Sequence, residues 1–267
     1  MASSVSPSLD DDLALALRLA DTADRQSLPR FDAPDLEVGL KADRSHVTEA
    51  DLATERAIRD LIARERPADA IFGEEYGSSE AAARRWIIDP IDGTANYLRG
   101  LPAWGTMIAL EIDGVVRLGV VSMPAFGRRW WAGDGLGAWT NGDERDQRIG
   151  VSAVERLDDA SLSFQSIAQW RDAGRLDALL ALQERVWRDR AYGDVWSYML
   201  LAEGRLEIVG EFDVKEYDVA AAAAIVREAG GRFTSVEGDD RLATGSALAT
   251  NGALHDEVLA VLHGSPS

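Results

Sequence analysis

The sequence predicts a mixed fold, α+β in its first half and α/β in its second, and three observations carry that expectation. Two apolar, β-branched runs, 106–112 and 115–122, meet across Asp113-Gly114, a dipeptide that suits the type I′ hairpin turn. After residue 160, helical patterns alternate with short apolar strands. With 267 residues, 46% of them hydrophobic and 28% charged, the chain can bury a sizeable core as one large or two small domains. The polar stretch 141–148 is the nearest thing to a boundary, giving an N-terminal α+β half (1–145) and a C-terminal α/β half (146–267) of one compact unit.

Residues 1–12, rich in Ser, Pro and Asp, lack the basic start and apolar core of a targeting segment and read as a frayed tail. From 10 to 28, Leu13, Ala16, Leu17 and Ala20 fall at helical spacing behind the triplet Asp10-Asp11-Asp12, whose charge suits a helix N-terminus. Residues 36–41 read as a strand or a tether. A second helix covers 49–64, with Thr48 as N-cap, Asp51 three positions on and Pro67 beyond its end. Short β-forming runs at 70–72 and 85–88 each stop at acidic residues, so both read as strands delivering carboxylates at their ends. The stretch 130–139, with Gly133, Gly135 and Gly137, continues the strands and turns. Beyond it, 161–164 reads as a strand, and helical patterns cover 176–187, 195–203, 218–229 and 255–262. Strands at 206–209, 232–235 and 247–250 separate them.

Charge and composition exclude several function classes. The 28 Lys and Arg against 46 Asp and Glu leave a formal net charge of −18, which repels nucleic-acid backbones and anionic lipid headgroups. Neither nucleic acid nor membrane is an expected partner, and the longest apolar run, 219–226, falls far short of the roughly 20 residues of a spanning helix. The absence of cysteine removes disulfides, thiolate-bound metals and a cysteine nucleophile, and fits a cytoplasmic location.

Three acidic groups stand out by position. Glu74 and Glu75 follow Gly73 at one strand end, Asp89 and Asp92 flank Pro90-Ile91 at another, and Asp218 opens a helix. Singly, an acid at a strand end is more often a solvated turn residue. As a set they lie near the core, where charge is costly unless paired or metal-bound. Hard oxygen donors select Mg²⁺ or a similar cation, which takes one or two carboxylates plus water and substrate phosphate. Asp89 can bridge two ions with Asp92 and Glu74 on either side, and Pro90, lacking an N–H, helps turn the Ile91 carbonyl inward as a neutral ligand. Gly93 and Thr94 then offer N–H groups at a helix start to a phosphate oxygen. No Lys or Arg lies between Arg85 and Arg99, which leaves metal as the natural counter-charge for an anionic substrate.

These blocks carry a resemblance. Gly73-Glu74-Glu75, the run from Trp86 through Asp89-Pro90-Ile91-Asp92-Gly93-Thr94 to Tyr97, and Asp218-Val219-Ala220-Ala221-Ala222 with Glu228-Ala229-Gly230-Gly231 resemble the signature blocks of the inositol monophosphatase superfamily, in order and spacing. Residues 160–164, 128–132 and 191–194, with Ser197-Tyr198, resemble its actinobacterial histidinol-phosphatase branch. The resemblance implies a layered αβαβα sandwich, Mg²⁺-dependent hydrolysis of a small phosphate monoester, and a homodimer. By matching position, Glu74, Asp89 and the Ile91 carbonyl would hold one Mg²⁺, Asp89, Asp92 and Asp218 a second, and a looser third would share Glu74. Thr94 and Glu74 would position and deprotonate the attacking water, with Asp51 assisting; Glu75 takes a supporting part.

Each assignment has a plainer competitor. Thr48 and Asp51 have capping-box spacing, so Asp51 is as readily a helix cap as a proton acceptor. Asp194 would suit the ammonium of histidinol phosphate, and Glu211 would contact the non-phosphate part of the substrate, but Asp194 could equally cap a helix starting at Val195. His255 and His263 read as surface residues. The tryptophans read as core and dimer contacts, with Trp170, on a loop after Gln165, the one placed to reach a neighbouring subunit. Tyr217 stands where the family most often has Trp, which implies a repacked wall. Ser45-His46 replaces the branch's Thr-Pro, which implies a more mobile 43–47 loop. The expected activity is hydrolysis of histidinol phosphate. The alternatives are an inositol-1-monophosphatase or broad sugar-phosphate phosphatase and, from another class, a non-catalytic metal-stabilised interaction protein.

Overall fold

The computed structural model describes residues 7–41, 46–80, 82–142 and 145–264. The first half runs α1 (Leu9–Ser27), β1 (Val38–Leu40), β2 (His46–Thr48), α2 (Glu49–Glu65), β3 (Ala70–Gly73), β4 (Gly77–Ser78), β5 (Arg84–Asp92) and α3 (Thr94–Leu98). It continues through β6 (Gly105–Ile112), β7 (Val115–Met123), β8 (Arg128–Gly133), β9 (Gly137–Thr140) and β10 (Gln147–Ile149). The second half runs β11 (Ser161–Ser163), α4 (Ile167–Asp172), α5 (Leu176–Gln183), β12 (Arg188–Arg190), α6 (Asp194–Ala202), β13 (Ile208–Phe212), α7 (Glu216–Glu228), β14 (Arg232–Thr234), β15 (Ser246–Thr250) and α8 (His255–Leu262).

Strands β3 to β10 form a large sheet ordered β10-β9-β8-β7-β6-β5-β3-β4, antiparallel except where β3 and β5 run parallel. Its central hairpin turns where expected, with Asp113 at φ 52° and Gly114 at φ 78°, the two left-handed residues of a type I′ turn. The small sheet is ordered β12-β11-β13-β15-β14, parallel across its first three strands and antiparallel thereafter.

Strand alternation builds the layers. On β5 and β6, Ile88, Ile108 and Leu110 face α1 and α2, while Ile87, Met107 and Ala109 face α6 and α7. On the small sheet, Val209, Ala247 and Ala249 face the same two helices, and Ile208 and Leu248 face α5 and α8. The result is the αβαβα sandwich that the resemblance implies, with α6 and α7 sealed between two sheets. That position explains the all-buried, alanine-rich stretch of α7, since only small side chains let a helix fit between two sheets.

Several elements differ from expectation. Asp12 is no part of a frayed tail: Ser8 caps α1, and Asp12 is fully buried between Arg66 at 3.0 Å and Arg84 at 2.8 Å. The helix expected over 176–187 ends at Gln183, and the polar edge strand β12 follows, with no apolar alternation to announce it. The strand expected at 206–209 runs on to Phe212 and so carries Glu211. Arg148, expected in a boundary segment, lies in β10 and pairs with Trp139 of the large sheet. Of the 43–47 loop, residues 43–45, Ser45 among them, lie outside the described residues. Among the described residues no helix is long and apolar enough to cross a membrane.

Candidate active site

β5 ends in a bulge that creates the acidic centre. Asp89 pairs with Met107 and Asp92 with Gly105, so β5 uses one residue more than β6 across Pro90-Ile91. Thr106 Oγ1 donates to the Pro90 carbonyl at 2.8 Å, and Asp89 Oδ1 accepts the Ile91 N–H at 3.0 Å, which fixes the kinked segment. Gly93 follows at φ 82°, and a Cβ there would lie 3.0 Å from the Ala103 carbonyl, so both conformation and space call for glycine. Asp218, at the third position of α7, joins from the other side, and carboxylate oxygens of Asp89, Asp92 and Asp218 lie within 4.8 Å of one another. Helix starts hold two of them: Asp92 Oδ2 accepts the Val195 N–H of α6 at 2.7 Å, and Asp218 Oδ2 accepts the Lys215 N–H at 2.6 Å.

Crowding shows in the proton affinities. Burial pushes Asp89 well above the ordinary carboxylate range, and the charges of Glu74, Asp92 and Asp218 push the same way. Burial also raises Asp92, reinforced by Asp194 and opposed by the Val195 N–H. Asp218 rises to about 7, through burial first and Glu74 next, against the Lys215 N–H.

Beside this centre, Asp51 serves two partners with two oxygens. Its Oδ2 accepts the Thr48 N–H at 2.7 Å and the Thr48 hydroxyl at 2.5 Å, closing the capping box of α2. Its Oδ1 lies 3.4 Å from Thr94 Oγ1, which in turn is 3.1 Å from the Ile91 carbonyl. Capping therefore leaves Asp51 an oxygen for the site, and burial lifts its pKa to about 6. Glu74 and Glu75 sit on the turn after β3, where Lys41 Nζ bridges them at 2.6 and 2.8 Å. The turn is held from beneath by the fully buried Glu55, whose carboxylate accepts the Glu75 and Tyr76 N–H groups at 2.7 and 3.3 Å.

The far wall comes from the second half of the chain. Glu211, buried on β13, accepts a hydrogen bond from the Tyr198 hydroxyl, and burial raises its pKa to about 8 despite that bond. Asp194 is the first residue of α6 and makes no capping bond; Gly193 holds the cap position, so the cap reading of Asp194 is corrected. Instead Asn96 Nδ2 donates to one Asp194 oxygen at 2.7 Å and Gln165 Nε2 to the other at 3.0 Å. Glu74, Asp89, Ile91, Asp92, Gly93, Thr94, Asp194, Glu211 and Asp218 thus line one cleft of about 170 Å³, and among the described residues no Lys or Arg lines it. A larger open groove, about 670 Å³, lies between the β6–β7 turn and residues 240–243 and contains none of these residues.

The model of the inositol monophosphatase family matches residues 12–267, nearly the whole chain. The chain belongs to the inositol monophosphatase family. It is 50% identical to the histidinol-phosphatase of Mycobacterium tuberculosis, over 95% of this chain and 98% of the relative, and 48% identical to that of Streptomyces coelicolor, over 96% and 98%. Among solved structures, an inositol monophosphatase from Zymomonas mobilis superposes with a TM-score of 0.85 at 33% identity, covering 97% of this chain and all of that one.

Inositol monophosphatase family members are metal-dependent phosphoric monoester hydrolases, and the oxygen-only cluster of Asp89, Asp92 and Asp218 fits a hard divalent cation. A dication there would draw off the protons that burial and mutual repulsion otherwise retain. Sequence reasoning missed Lys41, Glu55, Asn96, Gln165 and Tyr198. Glu55 had a signal, since it lies one helical turn beyond Asp51 on α2; Lys41 had none. Trp170, expected on a loop, is fully buried on α4 with its Nε1 bonded to the Phe164 carbonyl, so it reaches no neighbour. His255, expected at the surface, is fully buried between Thr234 and Thr250 hydroxyls at 3.1 and 3.0 Å. Tyr217 packs its ring 5.6 Å from that of Phe72.

Proposed function

We propose that the chain hydrolyses histidinol phosphate to histidinol and phosphate, with Mg²⁺. The observation that carries the choice of substrate is Asp194: a half-buried carboxylate lining the cleft beside Gly93, gripped by neutral amides, suits an ammonium better than a sugar hydroxyl. The identities of 50% and 48% to two histidinol-phosphatases, against 33% to the inositol monophosphatase, support the same choice.

In this reading Glu74, Asp89 and the Ile91 carbonyl would hold one Mg²⁺, Asp89, Asp92 and Asp218 would hold a second, and Glu74 would share a looser third. Bound divalent cations supply Lewis acidity, lowering the pKa of water and stabilising a leaving alkoxide. The protein's own groups do the rest. Thr94 Oγ1 and Glu74 position and deprotonate the attacking water, and Asp51 Oδ1, 3.4 Å from Thr94 Oγ1, assists by taking up a proton. The Gly93 and Thr94 N–H groups hold phosphoryl oxygens; α3 has only five residues, so these two donors matter more than its dipole. Glu211 and Asp194 receive the amino-alcohol end. The two halves, 1–145 and 146–267, act as one catalytic unit, because the metal and substrate residues come from both. A cytoplasmic homodimer completes the proposal, and the exposed Leu101, Phe126 and Trp187 offer apolar contact for it.

The test is phosphate release from histidinol phosphate and from inositol monophosphate, side by side, with Mg²⁺ titrated. Preference for histidinol phosphate, abolished by a chelator, is the expected result. Preference for inositol monophosphate would keep the metal chemistry and discard the substrate. Metal binding without turnover of either would move the chain to the non-catalytic class.

A further inference from the structure

Two non-glycine residues of the cleft, Gln165 at φ 57° and Asp194 at φ 49°, hold left-handed backbone, which is costly for a residue with a Cβ. They stand side by side for a topological reason. β11 and β12 run parallel with Ser163 opposite Arg190, so the segments leaving both strands emerge at the same end of the small sheet.

Hydrogen bonds close across the gap. Gln165 Oε1 accepts the Asp194 N–H at 2.9 Å while its Nε2 donates to Asp194 Oδ1 at 3.0 Å, so one amide grips both backbone and carboxylate. From α3, Asn96 Nδ2 donates to Asp194 Oδ2 and to the Ala103 carbonyl, both at 2.7 Å. A Cβ at Gly193, whose φ is 81°, would lie 2.9 Å from Gln165 Oε1 and displace the amide from its grip. The donors are neutral. A guanidinium in the same place would cancel the carboxylate charge, whereas amides orient it and leave both its charge and further lone pairs free for a partner.

We propose that Gln165 and Asn96 are positioning residues that aim Asp194 at the substrate's ammonium and so set the preference for an aminated phosphate monoester. This rests on the reading that the substrate is cationic at its non-phosphate end. Steady-state kinetics on histidinol phosphate and on its deamino analogue, imidazolylpropyl phosphate, test it in the wild type, Asp194→Asn and Gln165→Met. In Gln165→Met the KM for histidinol phosphate rises about tenfold with kcat within about twofold, and the deamino analogue is unaffected, which also reports a native fold. Asn96→Ala removes the other donor and repeats the test from a different element should Gln165→Met fail to fold. Equal losses on both compounds, or a fall in kcat at constant KM, overturn the clamp. If Asp194→Asn separates the two compounds and neither amide variant does, the clamp fails and the reading of Asp194 stands. If Asp194→Asn treats both alike, the cationic-substrate reading itself fails.

Discussion

At one end of the cleft, Asp89 and Asp92 converge from a single bulged strand and meet Asp218 at a helix start; at the other, Asp194 is held by amides 29 and 98 residues away in sequence. The first end is charge crowded onto charge, with proton affinities raised by burial and repulsion, and it suits a cation from solution. The second is charge held by neutral dipoles, and it suits a cation that arrives on the substrate. The difference separates chemistry from selection. Substitutions at the first end should slow every substrate alike, and substitutions at the second should discriminate among substrates.

The largest effect is expected from Asp89→Asn, which should reduce phosphate release from any monoester by about a thousandfold, some 4 kcal/mol of barrier, and weaken metal binding measured by calorimetry. Asp51→Asn keeps a capping acceptor for Thr48 but cannot take a proton. It should lower kcat about a hundredfold with KM nearly constant, on histidinol phosphate and inositol monophosphate alike. Selective loss on one substrate in either variant would break the division between the two ends. At the selecting end, Tyr198→Phe removes the one hydrogen bond that lowers the pKa of Glu211, leaving burial to raise it further; KM should rise about threefold with kcat unchanged.

A residue remote from both ends sharpens the contrast. His255 is buried and neutral, and burial lowers its pKa from 6.5 to about 4 in the folded protein. The unfolded chain therefore binds the proton first. The contribution is complete above pH 6.5 and is lost as the pH falls through 4. Between pH 7 and 4, urea unfolding should show wild type losing up to about 3 kcal/mol more than His255→Gln, with kinetic constants at pH 7 unaltered.

The two ends also differ in how far they can be read from sequence. The run from Asp89 to Thr94 states its geometry locally, because a proline, a glycine and two acids within six residues force a bulge and a turn. Thr48 and Asp51 were similarly legible, and the structure shows why capping and service to the site are compatible: they use different oxygens. Asp113-Gly114 announced its hairpin for the same local reason. The selecting end depends on β12, a polar edge strand with no alternation, and on the short α4, and so its residues meet only through tertiary structure. His255 looked like a surface residue because its satisfaction by two threonines is invisible in one dimension.

The ratio of kcat/KM for histidinol phosphate to that for inositol monophosphate, measured in wild type and in Asp194→Asn at one Mg²⁺ concentration, tests the division most directly. The ratio should stand well above one in the wild type and fall by about tenfold in the variant, with inositol monophosphate turnover little changed. A ratio that survives the substitution, or both substrates failing together, would contradict it.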